Sequence, residues 1–123
     1  MATKALEFGV KVFVNISTDK AVEPVNVMGA SKALAEKIVA SLNGLGDTVF
    51  ASVRFGNVFG SRGSVVELME RWIEEGRPLK ITHPDMERYF MSVEEAVLLV
   101  LEAASLSRPG IFVLNMGEPV RIC

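Results

Sequence analysis

Short apolar runs alternate along this chain with longer segments in which apolar residues recur every three or four positions. Such runs cover residues 10–16, 49–55 and 111–115, and the run over 10–16 is rich in β-branched residues, as expected for a strand buried on both faces of a sheet. The periodic segments between them have the length and spacing of amphipathic helices. This alternation predicts βαβ units and therefore the α/β class, with a Rossmann-like parallel sheet and flanking helices.

Capping residues mark where the helices begin. Asn26 is a candidate N-cap for a helix over 28–43, and Ser-x-x-Glu capping boxes begin at Ser64 and Ser92. A short strand is also predicted over 79–82. The apolar stripe predicted for the 28–43 helix consists of Ala30, Leu34, Ile38 and Leu42. The core face predicted for the last helix consists of Val93, Ala96, Val97, Val100 and Leu101.

Composition limits the function classes. The 123 residues are 50% hydrophobic and 23% charged, which is typical of a globular protein, and they are expected to form a single unit, 1–123. A formal net charge of -2 gives no reason to expect nucleic-acid binding. Because Cys123 is the only cysteine, an intrachain disulfide and a multi-cysteine metal site are excluded, and a cytoplasmic location fits. No apolar run approaches the ~18 residues of a membrane span.

Side chains capable of acid–base chemistry follow the first predicted strand. Thr18, Asp19 and Lys20 come directly after it, and Lys32 lies on the next helix. Ligands of α/β sheets bind at the carboxyl ends of the parallel strands, so this junction is the candidate site. Met28 and Lys32 are four residues apart and therefore share one helix face. From spacing alone, an ordinary polar turn and a solvated helix lysine remain open alternatives.

A longer string connects these residues. Residues 18–29 read Thr-Asp-Lys-Ala-x-x-Pro-x-Asn-x-Met-Gly, and Lys32 follows. This string resembles the CapD-like polysaccharide biosynthesis proteins, which are extended short-chain dehydrogenases/reductases that act as UDP-N-acetylhexosamine 4,6-dehydratases. The similarity continues through 54–64 and 85–92 and so covers nearly the whole chain. Met28 stands where the superfamily has the tyrosine of its Tyr-x-x-x-Lys pair, and methionine there is a feature of the large members of this family.

The resemblance implies a role for each residue of the junction. Thr18 would hydrogen-bond the sugar near C4, Asp19 would protonate the departing C6 hydroxyl, and Lys20 would remove the C5 proton. Lys32 would orient NAD, which is expected rather than NADP. Met28 would occupy the tyrosine position without exchanging a proton, because a thioether cannot. The family reaction transfers hydride from C4 to NAD, eliminates water across C5 and C6, and returns the hydride to C6.

The resemblance also implies substrate contacts and partners. Asn57, Arg62 and Arg88 are expected to contact the nucleotide-sugar diphosphate, since guanidinium groups match phosphate oxygens. A homo-oligomer is expected, formed through the 28–43 helix or through the exposed edge of the 10–16 strand. Any membrane attachment would come from segments outside these residues.

The sequence contains no Gly-x-x-Gly-x-x-Gly turn, which in this family cradles the NAD pyrophosphate. The expectation is therefore a partial fold, the C-terminal part of a larger dehydratase, with doubtful NAD binding and no turnover by the isolated chain. Two further interpretations stay open. One is a nucleotide-sugar 4-epimerase or reductase of the same superfamily, and the other is a non-catalytic module that binds a nucleotide-sugar or a protein.

Overall fold

The structure, a computed structural model, describes residues 1–61, 64–81 and 83–122. Two compact units are present, Met1–Phe55 with Val97–Leu114, and Gly56–Ala96 with Asn115–Cys123. The prediction of a single unit stays a prediction. In these described ranges no helix combines the length and hydrophobicity needed to cross a bilayer. In chain order the elements are α1 (Ala2–Glu7), β1 (Val12–Thr18), a 3-10 turn (Asp19–Ala21), α2 (Val27–Ser41), β2 (Val49–Phe55), β3 (Asn57–Val58), α3 (Val65–Glu74), β4 (Glu87–Arg88), β5 (Phe90–Met91), α4 (Val93–Leu106), β6 (Gly110–Val113) and β7 (Val120–Arg121).

The first unit contains a three-stranded parallel sheet in the order β1-β2-β6. The pairing of β1 with β2 runs from Val12 opposite Val49 to Thr18 opposite Phe55, so both strands end together at their carboxyl side. Helices flank this sheet, and the predicted α/β class with a Rossmann-like parallel sheet is confirmed. The register matters for the site because it aligns the last residues of the two strands.

The two faces of the sheet have different cores. Phe13 and Phe50, whose ring centroids lie 5.6 Å apart, belong to the face covered by α1 and α2, where Val39 packs against Phe50. Val53 lies on the other face and is fully buried against Leu99 of α4. Because side chains alternate along a strand, the α2 face also receives the polar side chains that precede the ends of β1 and β2.

Helix α2 packs on the sheet through a different face from the predicted stripe. Its buried residues are Gly29, Glu36 and Val39, whereas Leu34 and Ile38 are 59% and 52% exposed. The stripe is therefore not the buried face at Leu34 and Ile38, whereas its Leu42 packs against the core. Gly29 brings no side chain, so that edge of the helix approaches the turn after β1 closely, and the larger apolar side chains remain outside.

The predicted core face of α4 is also rotated. The prediction is confirmed for Ala96, which is buried, and for Val100, which packs against the core. It is wrong for Val93, Val97 and Leu101, which are about half exposed, while Leu99 and Ala103 are buried instead. Apolar residues surround much of this helix, so their period alone did not identify the inner face. Ala96 and Ala103 are small, so this side of the helix can pack closely.

The second unit is built from short strand pairs. β3 pairs with β5 in parallel and β4 with β7 antiparallel, and the rings of Phe59 and Phe90 stack with centroids 5.0 Å apart. Ser64 caps α3 as predicted, because its hydroxyl accepts from the amide of Glu67. The strand predicted over 79–82 is wrong for 79–81, which form no strand, and Thr82 lies outside the described residues. A strand needs a neighbour that takes its backbone hydrogen bonds, which a short apolar run does not guarantee.

Candidate functional site

The candidate site begins where β1 ends. Thr18 caps the 3-10 turn: its Oγ1 accepts a long 3.4 Å bond from the amide of Lys20 and donates to Asp19 Oδ1 at 2.8 Å. Lys20 Nζ donates to the same Asp19 oxygen at 2.9 Å. The side chains of Asp19 and Lys20 are 24% and 33% exposed, so a ligand could reach both. The structure thus joins three predicted site residues in one hydrogen-bonded chain centred on a carboxylate oxygen.

The start of α2 lies tightly against this turn. Asn26 caps the helix as predicted, since its Oδ1 accepts from the amide of Gly29 at 2.8 Å. A Cβ placed on Gly29 would lie 2.3 Å from the carbonyl oxygen of Lys20 and 3.1 Å from Cβ of Pro24. Only glycine allows this approach, so Gly29 sets the distance between the turn and the helix. In the sequence, Gly29 is only the last residue of the string over 18–29, and its role as a spacer between turn and helix is visible only in the structure.

Lys32 reaches back to the end of β1. Its Nζ donates to the carbonyl oxygen of Ile16 at 3.2 Å, which places the ammonium at the carboxyl end of the strand. An ammonium group has three N–H donors, so two remain for a ligand. Met28 lies one helical turn earlier and is 47% exposed. Its thioether cannot transfer a proton, so any acid–base chemistry here falls to the other residues.

A buried ion pair lies next to the site residues, and it could not be predicted from the sequence pattern. Arg54 of β2 donates to Glu36 of α2 through two bonds, Nε to Oε1 at 2.9 Å and Nη2 to Oε2 at 2.7 Å. The hydroxyl of Ser17 in β1 donates to the same Oε1. The Glu36 side chain is only 5% exposed. Arg54 hydrogen bonds lower the pKa of Glu36, against the burial that would raise it, and the same bonds raise the pKa of Arg54.

The predicted substrate residues lie in the second unit or outside the described residues. Asn57 belongs to β3, and its amide donates to the carbonyl of Tyr89 at 2.8 Å. Arg88 belongs to β4, is partly buried, and donates from Nη1 to the Glu87 carbonyl at 2.7 Å. Arg62 lies outside the described residues. Diphosphate contacts by Asn57, Arg62 and Arg88 therefore stay predictions.

Comparison with known proteins confirms the family resemblance that was based on residues 18–32. The profile of the family described as polysaccharide biosynthesis protein matches residues 1–123. The chain is 55% identical, over 99% of its length, to the capsular polysaccharide biosynthesis protein CapD of Staphylococcus aureus. It is 48% identical, over 86% of its length, to a UDP-glucose 4-epimerase of Rickettsia canadensis. These matches span 21% of CapD and 32% of the epimerase, so the chain covers only a part of each relative.

Solved structures with the same fold cover nearly the whole chain. The structure of Pen from Bacillus thuringiensis is 38% identical and superimposes with a TM-score of 0.86, over 93% of this chain and 36% of Pen. MoeE5, solved in complex with UDP-glucose and NAD, superimposes with a TM-score of 0.83 over 98% of this chain and 48% of MoeE5. At 19% identity, MoeE5 supports the fold alone. From the whole-length profile match and the identity to CapD, the chain belongs to the polysaccharide biosynthesis protein family.

Proposed function

We propose that this chain is the catalytic and substrate-binding part of an NAD-dependent nucleotide-sugar 4,6-dehydratase that acts on a UDP-N-acetylhexosamine in polysaccharide biosynthesis. One observation carries the proposal. An acid, a base and a hydroxyl share one hydrogen-bonded chain at the carboxyl end of β1, through Thr18, Asp19 and Lys20. Family membership and the identities to CapD and to a UDP-glucose 4-epimerase support a nucleotide-sugar as the class of substrate.

Bound NAD would supply the hydride acceptor for C4 and the hydride donor for C6. Lys32 fits the ribose of this cofactor, because its ammonium is fixed on the carbonyl of Ile16 and keeps two donors for hydroxyl groups. The 123 residues contain no glycine-rich pyrophosphate turn. We therefore expect no NAD turnover by the isolated chain.

The hydrogen-bonded chain provides a carrier for each proton. As C4 is oxidised, its hydroxyl gives a proton to Thr18 Oγ1, while Thr18 passes its own proton to Asp19 over the 2.8 Å contact. Asp19 then protonates the departing O6 while neutral Lys20 takes the C5 proton, so the C5–H and C6–O bonds break and water leaves. Lys20 gives its proton back to C5 when hydride reaches C6, so both side chains finish as they began.

The same balance explains why the acid and the base are adjacent. Elimination leaves Asp19 ionised and Lys20 protonated, which is the ion pair with the 2.9 Å contact. Their attraction therefore favours the charge state that the elimination produces. C5 and C6 are neighbouring atoms of one sugar, so two neighbouring side chains can serve both. Asn57, Arg62 and Arg88 are proposed to hold the diphosphate of the substrate.

A homo-oligomer is part of the proposal. Leu34 and Ile38 form an exposed apolar stripe on α2, although a second helix face already packs on the sheet. Exposed apolar stripes of this kind are typical of interfaces. We propose that a second copy of the chain covers this stripe.

The second candidate function is a nucleotide-sugar 4-epimerase, favoured by the 48% identity to the Rickettsia canadensis UDP-glucose 4-epimerase. An epimerase works at C4 alone and needs no acid–base pair for C5 and C6. Met28 also disfavours it, because the superfamily tyrosine that exchanges the C4 proton is absent. A module that binds a nucleotide-sugar without catalysis is distinguished by calorimetry, in which UDP-N-acetylglucosamine would bind and NAD would not.

A chimera tests the dehydratase. Residues 1–123 replace the matching segment of Staphylococcus aureus CapD, and the product from UDP-N-acetylglucosamine and NAD is analysed by mass spectrometry. The expected product has lost one water. Asp19→Asn and Lys20→Gln should each slow its formation by about 100-fold or more. Glu7→Gln and Lys4→Gln are matched controls, since that pair has the same charges at 2.7 Å on the exposed face of α1. An isomer of unchanged mass would favour the epimerase instead.

A further inference from the structure

The ion pair of Glu36 and Arg54 takes no part in the proposed chemistry, but both of its residues are neighbours of the site residues in α2 or in the sheet. Lys32 precedes Glu36 by four residues, which places both on one face of α2. Gly29, pressed against the turn that carries Lys20, lies one turn before Lys32 on that side of the helix. Lys32 is therefore held between two close contacts of the same helix.

Glu36 connects three elements at the level of the site. Ser17, which donates to its carboxylate, is the residue directly before Thr18. Arg54 is the register partner of Ser17 in the neighbouring strand. A two-bond fork between carboxylate and guanidinium restricts both distance and plane, so this contact limits sliding and rotation of α2 on the sheet.

We propose that Glu36 is a positioning residue, which acts through Lys32 and the Thr18–Asp19–Lys20 chain; this inference rests on the proposed function. With Arg54 and Ser17 it fixes the height and rotation of α2 relative to the end of β1. The position of the Lys32 ammonium relative to the acid–base pair follows from that. Misplacement of a reacting group by about 1 Å can cost about 100-fold in rate.

A role in stability alone makes a different prediction. Burying an ion pair is costly in solvation, and replacing both partners by apolar side chains of similar volume is often neutral or stabilising. A directional contact is lost in that replacement, but packing is not. The double variant Glu36→Met with Arg54→Leu therefore separates position from stability.

The test compares this double variant with Val39→Ala in the CapD chimera. Val39 is buried on α2 against Phe50, and its truncation lowers stability without touching the ion pair. We expect the double variant to keep its thermal midpoint, to lose about 100-fold in kcat, and to keep KM within about twofold. Val39→Ala should lose thermal midpoint and keep kcat at a temperature where it is folded. Unchanged kcat in the double variant would overturn the proposal.

Two further measurements cover the cases in which the chimera gives no answer. If the wild-type chimera is inactive, the dehydratase proposal fails, and amide hydrogen exchange over residues 28–35 of the 123-residue chain decides the positioning role. Faster exchange in the double variant supports it, and unchanged exchange overturns it. If the double variant does not fold, Ser17→Ala keeps the ion pair and removes only the third bond. It should then lower kcat with KM unchanged, and full kcat would contradict the inference.

Discussion

Replacement of Gly29 by alanine gives opposite predictions from helix propensity and from the tertiary structure. Alanine is favoured over glycine inside helices by about 1 kcal/mol, so propensity alone predicts a more stable protein. In the structure, the added Cβ would lie 2.3 Å from the carbonyl oxygen of Lys20, a distance that real Cβ contacts essentially never show. A backbone carbonyl cannot rotate away as a side chain can.

The magnitude follows from the displacement that is needed. The first turn of α2 must move by roughly 1 Å, and overpacking of this kind costs about 1–3 kcal/mol. Because the opposing atom belongs to the backbone, we take the upper part of that range. After the gain in propensity, Gly29→Ala is expected to lose about 2 kcal/mol of unfolding free energy. The urea midpoint should then fall by about 1 M.

Ala30→Gly is the matched control for this measurement. Ala30 is exposed on the same turn of α2, so its replacement should cost about 1 kcal/mol through propensity alone. The two variants exchange the same residue types in opposite directions at adjacent positions. Propensity predicts opposite signs for them, whereas the structure predicts that both destabilise. Equilibrium urea unfolding that finds Gly29→Ala as stable as wild type, or more stable, would refute the steric argument.

Three other predictions concern Glu36, Asn43 and Leu34. Glu36 has a lowered pKa in the folded state, so its contribution to stability is present above the ordinary value of 4.5 and is lost as the pH falls through the folded pKa. Glu36→Gln should remove this loss of stability in urea unfolding measured across that pH range, and an unchanged pH profile would contradict the prediction. Asn43→Ala leaves the backbone amide and carbonyl of Phe50 in β2 without their side-chain partner, and it should lower the unfolding free energy by about 2 kcal/mol in urea unfolding. The control Asn115→Ala removes only an exposed hydrogen bond and should cost less than about 1 kcal/mol, so equal losses would contradict the prediction. Leu34→Glu should shift sedimentation towards the monomer, whereas Ile73→Glu should not, because Ile73 is similarly exposed but lies on α3. A wild-type chain that is already monomeric at micromolar concentration would exclude the α2 interface.

Local features of this protein could be predicted from its residues alone. The cap at Asn26 depends on a side chain three residues from its amide partner, and the strand predicted over 49–55 matches β2 residue for residue. The candidate site was predictable for the same reason. Asp19 and Lys20 are adjacent in the chain, so their proximity needed no knowledge of the fold. Contacts over a few residues are set by local backbone geometry, which residue type strongly restricts.

Which face of each helix is buried could not be predicted in this way, because it depends on how the helices pack on the sheet. The stripe containing Leu34 and Ile38 carries the larger apolar side chains, yet the sheet accepts the face containing Gly29 and Glu36. The pairing of Glu36 with Arg54 and Ser17 likewise required the β1–β2 register and the rotation of α2 together. Such contacts join residues eighteen or nineteen positions apart. They depend on how whole elements pack, and close packing is a property of the assembled surfaces that no single segment encodes.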